Sequence, residues 1–143
     1  MISDNILEYI GHTPLVRLNR MVTEDMAEVL VKFEALNAGG SIKTRTAWNM
    51  ILDAEAKGLV KADTIIVEPT SGNQGIGLAL VGAVRGYKVV IIMPDSVSEE
   101  RRKLVRHYGA EVKLVHDDGN IGEAIAECVR IAEEMRASDP RVY

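Results

Sequence analysis

Cysteine, aromatic side chains and long runs of apolar or basic residues are all scarce in this sequence. Cys128 is the single cysteine among 143 residues, which rules out an internal disulfide and favours a reducing, cytoplasmic location. No apolar run approaches the roughly 20 residues of a membrane span, and the first residues lack the features of a signal peptide. The net charge is −4, without clustered basic residues, which disfavours non-specific nucleic-acid binding. We therefore expect no membrane and no nucleic acid among the partners.

Hydrophobic residues make up 47% of the chain and charged residues 27%, a balance typical of a globular domain. Short apolar runs rich in β-branched residues predict strands at residues 64–69, 87–94 and 110–115. Because these runs are nearly continuous, they favour strands covered on both faces, as in a parallel sheet. The earlier segments "PLVRL" and "EVLVKFEAL" predict two further strands.

Segments with helical periodicity lie between these strands. "KTRTAWNMILDAEAKGL" predicts one helix, and residues 73–86 predict another that ends on a glycine cap. Ser96 and Glu99 have the spacing of a capping box, so a third helix is expected to begin there and to stop at Gly109. Strands that alternate with helices indicate an α/β fold, an open, twisted parallel sheet with helices on both faces.

The last helical segment has one apolar stripe at helical spacing. The stripe consists of Ile121, Ala124, Ile125, Cys128, Ile131, Ala132 and Met135. We expect it to face the core, with Cys128 as a small buried residue, because a reactive thiol requires exposure and an electropositive neighbour. Asp139 and Pro140 then predict a turn into another strand, so we expect the chain to be part of a longer design.

The first loop with chemical potential is "NAGGSIK", residues 37–43, here termed the lysine loop. It leads into a helix, and ligands of open α/β sheets bind at the rim where such loops meet. Lys43 faces the positive end of the helix dipole, and burial would add to a preference for the neutral amine. A neutral lysine amine attacks aldehydes to form a Schiff base, and Gly39 and Gly40 allow a flat ligand to come close. A solvated surface lysine is the alternative, since most lysines are exposed.

The second loop, residues 70–74, directly precedes a helix and is termed the TSGNQ loop. Thr70, Ser71, Asn73 and Gln74 place hydroxyl and amide groups beside the N–H groups of a helix N-terminus. Such a set suits a carboxylate or a phosphate. An N-cap turn is the alternative, but four polar side chains exceed what one cap requires.

The histidines give no indication of a metal site. His12, His107 and His116 are scattered without ligand spacing. The segment "HDDG", residues 116–119, lacks the spacing of a calcium loop. We expect a polar turn there instead.

Four segments resemble, in order, the N-terminal part of the cysteine synthase (O-acetylserine sulfhydrylase) and cystathionine β-synthase family. They are "IGHTPLVRL", "NAGGSIKTR", "EPTSGNQGIGLAL" and "VVIIMPDSVSEERRKLVRHYGAEV". The members are fold-type II enzymes that depend on pyridoxal 5'-phosphate, and the resemblance covers essentially the whole chain. It implies that Lys43 forms a Schiff base with the cofactor and later moves the α-proton of the substrate.

The same resemblance implies roles for the TSGNQ loop. Asn73 would hydrogen-bond the ring hydroxyl of the cofactor, while Thr70, Ser71, Asn73 and Gln74 would grip the α-carboxylate of an amino-acid substrate. The implied reaction is a β-substitution that converts O-acetyl-L-serine and sulfide to L-cysteine and acetate. Cystathionine β-synthase or serine/threonine dehydratase activity is an alternative, as is a non-catalytic domain that binds a carboxylate or a phosphate.

The resemblance also implies a division of the chain. Residues 1–36 would form an N-terminal arm and strands that join a large domain, and residues 37–143 a small α/β domain with both loops. The phosphate-binding cup and the residue that faces the pyridine nitrogen belong to a C-terminal half absent from this sequence. We therefore expect weak cofactor binding and little turnover from this chain alone, and a homodimer for the full-length enzyme.

Three positions depart from the loops usual in that family. Ala38 stands in place of proline, Thr44 in place of aspartate and Gln74 in place of threonine. Ala38 should loosen the lysine loop slightly, and the longer Gln74 would narrow the substrate pocket. These changes bear on the choice of acyl donor rather than on the cofactor.

Overall fold

The computed structural model describes residues 2–143. The strands are β1 (Leu15–Arg17), β2 (Leu30–Lys32), β3 (Ile65–Pro69), β4 (Lys88–Pro94) and β5 (Glu111–Val115). The helices are α1 (Lys43–Ala56), α2 (Asn73–Arg85), α3 (Glu99–His107) and α4 (Ile121–Ser138), with 3-10 turns at Ile6–Tyr9 and Glu34–Leu36. Within this described part of the chain, no helix is long and apolar enough to cross a membrane.

β3, β4 and β5 form one parallel sheet with β4 in the centre. Val67 pairs with Val90 across one ladder, and Val90 pairs with Glu111 across the other. α2 and α3 connect these strands as crossovers. The parallel α/β fold predicted from the sequence is confirmed.

The side chains of β4 alternate between two cores. Val89, Ile91 and Met93 pack with residues of α1, α2 and α3 on one face, whereas Val90 and Ile92 pack with α4 on the other. None of the five is more than 3% exposed. Helices therefore cover both faces of the sheet, as the unbroken apolar sequence of β4 predicts.

α4 buries only part of its predicted apolar stripe. Ala124 and Cys128 are buried, whereas Ile121 and Ile125 are 47% and 40% exposed. Three further members are partly buried against the same core: Ile131, Ala132 and Met135. The predicted stripe is therefore too wide at its N-terminal end, because the contact with the sheet follows the narrow line of Ala124 and Cys128. Burial raises the pKa of the Cys128 thiol, which agrees with the predicted structural role.

α3 begins later than the sequence predicts. Its first residue is Glu99 and its N-cap is Ser98. Ser96 lies in the preceding loop, where its Oγ donates a hydrogen bond of 2.5 Å to Oδ2 of Asp117. The capping box predicted for Ser96 and Glu99 is therefore wrong, because a contact with the β5–α4 loop occupies the Ser96 hydroxyl. Gly109 follows the helix with a positive φ, as predicted.

β3 has a partner on each side. Beyond β3, the N–H of Ile65 donates to the carbonyl of Arg141 at 2.8 Å, and Val142 forms a parallel bridge with Ile65. Residues 141–143 thus begin to extend the sheet, as the predicted turn after α4 requires. α2 leaves β3 on one face of the sheet, whereas α4 returns beside it on the other. Ligands of open α/β sheets bind at such a switch point.

β1 and β2 form a separate antiparallel pair in which Val16 lies opposite Val31. All residues of both strands are exposed, and Leu15 is 62% exposed. The arm before β1 is anchored instead by Leu7, which is 3% exposed and belongs to the core of α1 and α2. The strand pair therefore presents apolar side chains that nothing in residues 2–143 covers.

Candidate active site

Buried polar contacts shape the lysine loop. Asn37 is 4% exposed; its Oδ1 accepts from the N–H of Gly11 at 3.1 Å, and its Nδ2 donates to the carbonyl of Ser41 at 3.3 Å. Gly39 and Gly40 have φ values of +82° and +76°, which side chains with a Cβ rarely adopt. The buried side chain of Asn37 therefore holds the lysine loop by hydrogen bonds, and Gly39 and Gly40 form the turn into α1.

Thr44 explains one departure from the usual family sequence. Its side chain is fully buried, and its hydroxyl donates to the carbonyl of Ala38. An ionised aspartate has no hydrogen to donate to a carbonyl. The threonine therefore suits the Ala38 version of the lysine loop, whose backbone it ties to α1.

Lys43 is the first residue of α1, as predicted, and its backbone N–H donates to Oγ of Ser41 at 3.2 Å. Its side chain is exposed. The burial that was expected to favour a neutral amine is therefore not present within residues 2–143. The position at the positive end of the helix dipole remains.

Close packing of α1 on α2 brings the two loops together. A Cβ on Gly77 would lie 3.1 Å from the carbonyl oxygen of Lys43 and 3.0 Å from Cβ of Ala47. Gly77 lies about one helical turn beyond Asn73, the first residue of α2. Because Gly77 has no side chain, α1 packs closely on α2, and the backbone of Lys43 lies beside the N-terminus of α2.

The TSGNQ loop leaves the start of α2 open. The N-cap is Gly72, and within residues 2–143 no side chain accepts a hydrogen bond from the first turn of this helix as a cap. The N-cap alternative therefore fails for Ser71 and Asn73, and Asn73 is exposed. Hydroxyl groups, an amide and free N–H groups converge here, a set that fits an anionic oxygen.

Gln74 differs from the rest of the loop because its side chain turns toward α1. Its Nε2 lies 3.5 Å from Sδ of Met50. Its Oε1 is buried and accepts no hydrogen bond within the described residues. A buried acceptor without a hydrogen bond costs free energy until a donor reaches it. Among the polar side chains of the loop, that of Gln74 therefore has the least favourable hydrogen bonding.

A partly buried ion pair, which the local sequence pattern does not predict, connects the N-terminal arm to α1. Arg45 donates from Nε and Nη2 to the two carboxylate oxygens of Glu34, at 2.8 and 2.9 Å, and from Nη2 to the carbonyl of Gly11 at 2.8 Å. Thr13 Oγ1 donates to the same carboxylate at 2.7 Å. Arg45 and Thr13 together lower the pKa of Glu34 to about 2. The one signal in the sequence was an arginine two residues after Lys43.

The loops after β4 and β5 are tied to each other at the same rim. Asp95 accepts from the N–H of Asp117 at 2.9 Å, and its Oδ2 lies 2.9 Å from Nδ1 of His116. The hydrogen bond to Asp95 raises the pKa of His116, and that of Asp95 is lowered in return. Asp117 also accepts from the N–H of Gly119 at 3.0 Å, which confirms the predicted polar turn.

Comparison with known proteins places the chain in a family. The chain belongs to the pyridoxal-phosphate dependent enzymes, whose family model matches residues 6–143. It is 52% identical over 130 residues to a cysteine synthase of Flavobacterium sp., covering 91% of this chain and 42% of that protein. The chain therefore spans less than half the length of this relative.

Solved structures agree with this assignment. A hydrogen sulfide-producing enzyme from Fusobacterium nucleatum superposes with a TM-score of 0.88 at 42% identity, over 100% of this chain and 45% of that one. O-ureido-L-serine synthase gives a TM-score of 0.83 at 47% identity, over 94% and 42%. A lysine-to-alanine variant of that synthase with bound O-ureido-L-serine gives 0.81 at 46% identity, over 94% and 41%.

Proposed function

We propose that this chain forms the lysine and substrate-carboxylate face of a pyridoxal-phosphate dependent β-substitution enzyme. The full-length protein converts O-acetyl-L-serine and sulfide to L-cysteine and acetate. The observation that supports this most is the contact at Gly77, where the backbone of Lys43 packs beside the open N-terminus of α2. An amine and an anion site on one rim are what an amino-acid substrate requires.

The residues present fit the aldehyde side of pyridoxal phosphate. Lys43 offers an exposed amine for the aldehyde, and Asn73 offers an exposed amide for the ring hydroxyl. A Cβ on Gly40 would meet nothing within 4 Å, so the backbone there is open to a flat ring. The bound cofactor supplies an electron sink for the carbanion formed at the substrate α-carbon.

The protein's own residues bind the substrate and move its proton. Thr70, Ser71, Asn73 and Gln74 hold the α-carboxylate: the first three with hydroxyl, amide and N–H donors, and Gln74, whose side chain turns toward α1, with its backbone N–H. This anchor turns the α-hydrogen toward the amine of Lys43, which accepts the proton as a general base. Orientation of this kind contributes up to about 7–11 kcal/mol in well-ordered systems.

The division of the chain at residues 36 and 37 is part of the proposal. The exposed β1–β2 pair joins a large domain formed mostly by a C-terminal half, which also brings the phosphate cup. The lengths of the relatives support this reading, since they exceed that of this chain more than twofold. In full length the protein is a homodimer.

A second candidate concerns the nucleophile and the leaving group. The similarity to O-ureido-L-serine synthase and to a hydrogen sulfide-producing enzyme favours other β-substituted products from the same amino-acid skeleton. Mass-spectrometric product analysis with O-acetyl-L-serine, L-serine and L-cysteine as substrates, each with sulfide, hydroxyurea or homocysteine as the nucleophile, separates cysteine synthesis from these reactions. The same product analysis separates cysteine synthesis from cystathionine β-synthase and dehydratase chemistry.

The experiment that tests the proposal is covalent trapping. The full-length protein, reconstituted with pyridoxal phosphate, should show the visible absorption of lysine-bound cofactor, and Lys43→Ala should abolish it. Borohydride reduction followed by peptide mapping should find the adduct on Lys43. Lys57→Ala, at the other end of α1 in an exposed pair with Asp53, serves as the control that keeps the band.

Two results would contradict the proposal. One is an adduct on a different lysine, and the other is a protein that stays colourless after reconstitution. Anion binding that survives Lys43→Ala in a protein without turnover would support the non-catalytic alternative instead.

A further inference from the structure

We propose that Arg101 of α3 is a positioning residue that fixes the hydroxyl of Thr70 toward the substrate carboxylate. The inference rests on the proposed function, because it concerns how the TSGNQ loop is held. Arg101 does not touch substrate or cofactor in this proposal. It acts through the peptide that joins Ser71 to Gly72.

Both polar groups of that peptide are bonded. Nη1 of Arg101 donates to the carbonyl of Ser71 at 3.1 Å, and the N–H of Gly72 donates to Oγ1 of Thr70 at 3.2 Å. A peptide group is planar, so holding its C=O from one side and its N–H from the other fixes its rotation. Arg101 reaches the loop from a different helix, 30 residues along the chain.

The bond at Gly72 determines what Thr70 can do. A threonine hydroxyl has one hydrogen to donate and two lone pairs that accept. Because an Oγ1 lone pair already accepts from Gly72, the hydroxyl hydrogen stays available for a carboxylate oxygen. If the peptide rotates, the Gly72 N–H leaves Oγ1 and the hydroxyl loses its fixed direction.

The position of Arg101 favours a role outside its own helix. It lies in the first turn of α3, where a cation opposes the helix dipole. Its neighbour Arg102 serves the loop before α3 instead, donating to the carbonyls of Val97 at 2.9 Å and of Asp95 at 2.8 Å. Adjacent arginines therefore hold two different loops at one rim, and of the two only Arg101 donates a hydrogen bond to the TSGNQ loop.

The test compares Arg101→Ala and Arg101→Lys in the full-length, cofactor-loaded protein. We expect Arg101→Ala to raise KM for O-acetyl-L-serine about three- to tenfold, as loss of one hydrogen bond predicts. KM for sulfide and the visible cofactor band should stay unchanged. Hydrogen exchange of the amides at residues 70–74 should accelerate, and Arg101→Lys should recover part of both effects.

Arg106→Ala is the matched control, because Arg106 is exposed on the same helix and its side chain makes no hydrogen bond within residues 2–143. If Arg101→Ala leaves both the KM for O-acetyl-L-serine and the hydrogen exchange of residues 70–74 unchanged, the inference about Arg101 is overturned. The proposed function still stands in that case, provided that the visible cofactor band depends on Lys43. Loss of the band, or an equal rise in both KM values, would show a merely structural role and would also overturn it. A band that survives Lys43→Ala would instead remove the proposed function itself.

Discussion

Single residues at the edge of the lysine loop decide how the arm meets α1. Glu34 accepts two hydrogen bonds from Arg45 and one from Thr13. Arg45 sits in the first turn of α1, where its charge opposes the helix dipole, and the carboxylate compensates that cost. The pair therefore links the arm to the helix that begins with Lys43.

The ion pair of Glu34 and Arg45 predicts that the free energy of unfolding decreases at low pH. Arg45 and Thr13 lower the pKa of Glu34 from its ordinary 4.5 to about 2, so the folded state binds the proton less readily than the unfolded state. The stabilisation is complete above pH 4.5 and is lost as the pH falls toward 2. Urea midpoints measured from pH 7 to pH 2 should therefore fall more steeply in wild type than in Glu34→Gln.

Glu133→Gln is the control for this titration, since Glu133 is an exposed carboxylate on α4 without an ion pair among the described residues. Its profile should parallel that of wild type. Parallel profiles for Glu34→Gln as well would show that the Arg45 contact contributes nothing in solution.

At the scale of elements, the α1–α2 pair carries the geometry of the candidate site. Gly77→Ala places a methyl group about 3 Å from the Lys43 carbonyl and from Cβ of Ala47. Because backbone is among the crowded atoms, the helices must separate, and we expect a loss of about 1–3 kcal/mol in the free energy of unfolding. In the full-length protein the absorption of lysine-bound cofactor should shift or weaken as well.

Gly122→Ala in α4 is the matched control for Gly77→Ala. Its new Cβ would meet only Oδ1 of Asn120, at 3.4 Å. Replacing a helical glycine by alanine in open space is expected to stabilise by roughly 0.5–1 kcal/mol. A stable Gly77→Ala protein with unchanged absorption would show that the helices tolerate separation without moving Lys43.

The sequence predicted those elements whose signal is local. The β-branched runs identified β3, β4 and β5, and Gly58, Gly86 and Gly109 marked where α1, α2 and α3 end. The placement of Lys43 at the first residue of α1 also followed from local pattern. The contacts of Ser96 and Arg45 did not, because their partners Asp117 and Glu34 lie 21 and 11 residues away. Nothing in a local pattern encodes such a partner.

The exposure of Ile121 and Ile125 has a similar cause. Helical periodicity marks which side of α4 is apolar, but the width of the buried line depends on how the helix crosses the sheet. The roles of Thr70, Ser71, Asn73 and Gln74 came from resemblance and remain proposals. Geometry adds that the start of α2 is uncapped.

At the scale of the whole molecule, the β1–β2 pair is the surface that most needs a partner. Leu30 is 46% exposed and Val31 39%. If a large domain covers this surface, Leu30→Lys should destabilise the full-length protein, because it buries a charge. The same change in the 143-residue chain should stay within about 0.5 kcal/mol of wild type, as exposed substitutions usually do.

Thermal unfolding of both lengths provides the measurement. Asn19→Lys, at an exposed position in the same arm, controls for the added charge. Equal effects of Leu30→Lys in the two proteins would contradict the proposed burial of the strand pair.

The bridge between Ile65 and Val142 has a consequence for synthesis on the ribosome. β3 is translated long before residues 141–143, so its outer edge has no native neighbour while α2 to α4 emerge. An open edge of this kind is prone to wrong pairings. A polypeptide truncated just before Val142 would thus be more vulnerable to aggregation than one that retains residues 141–143.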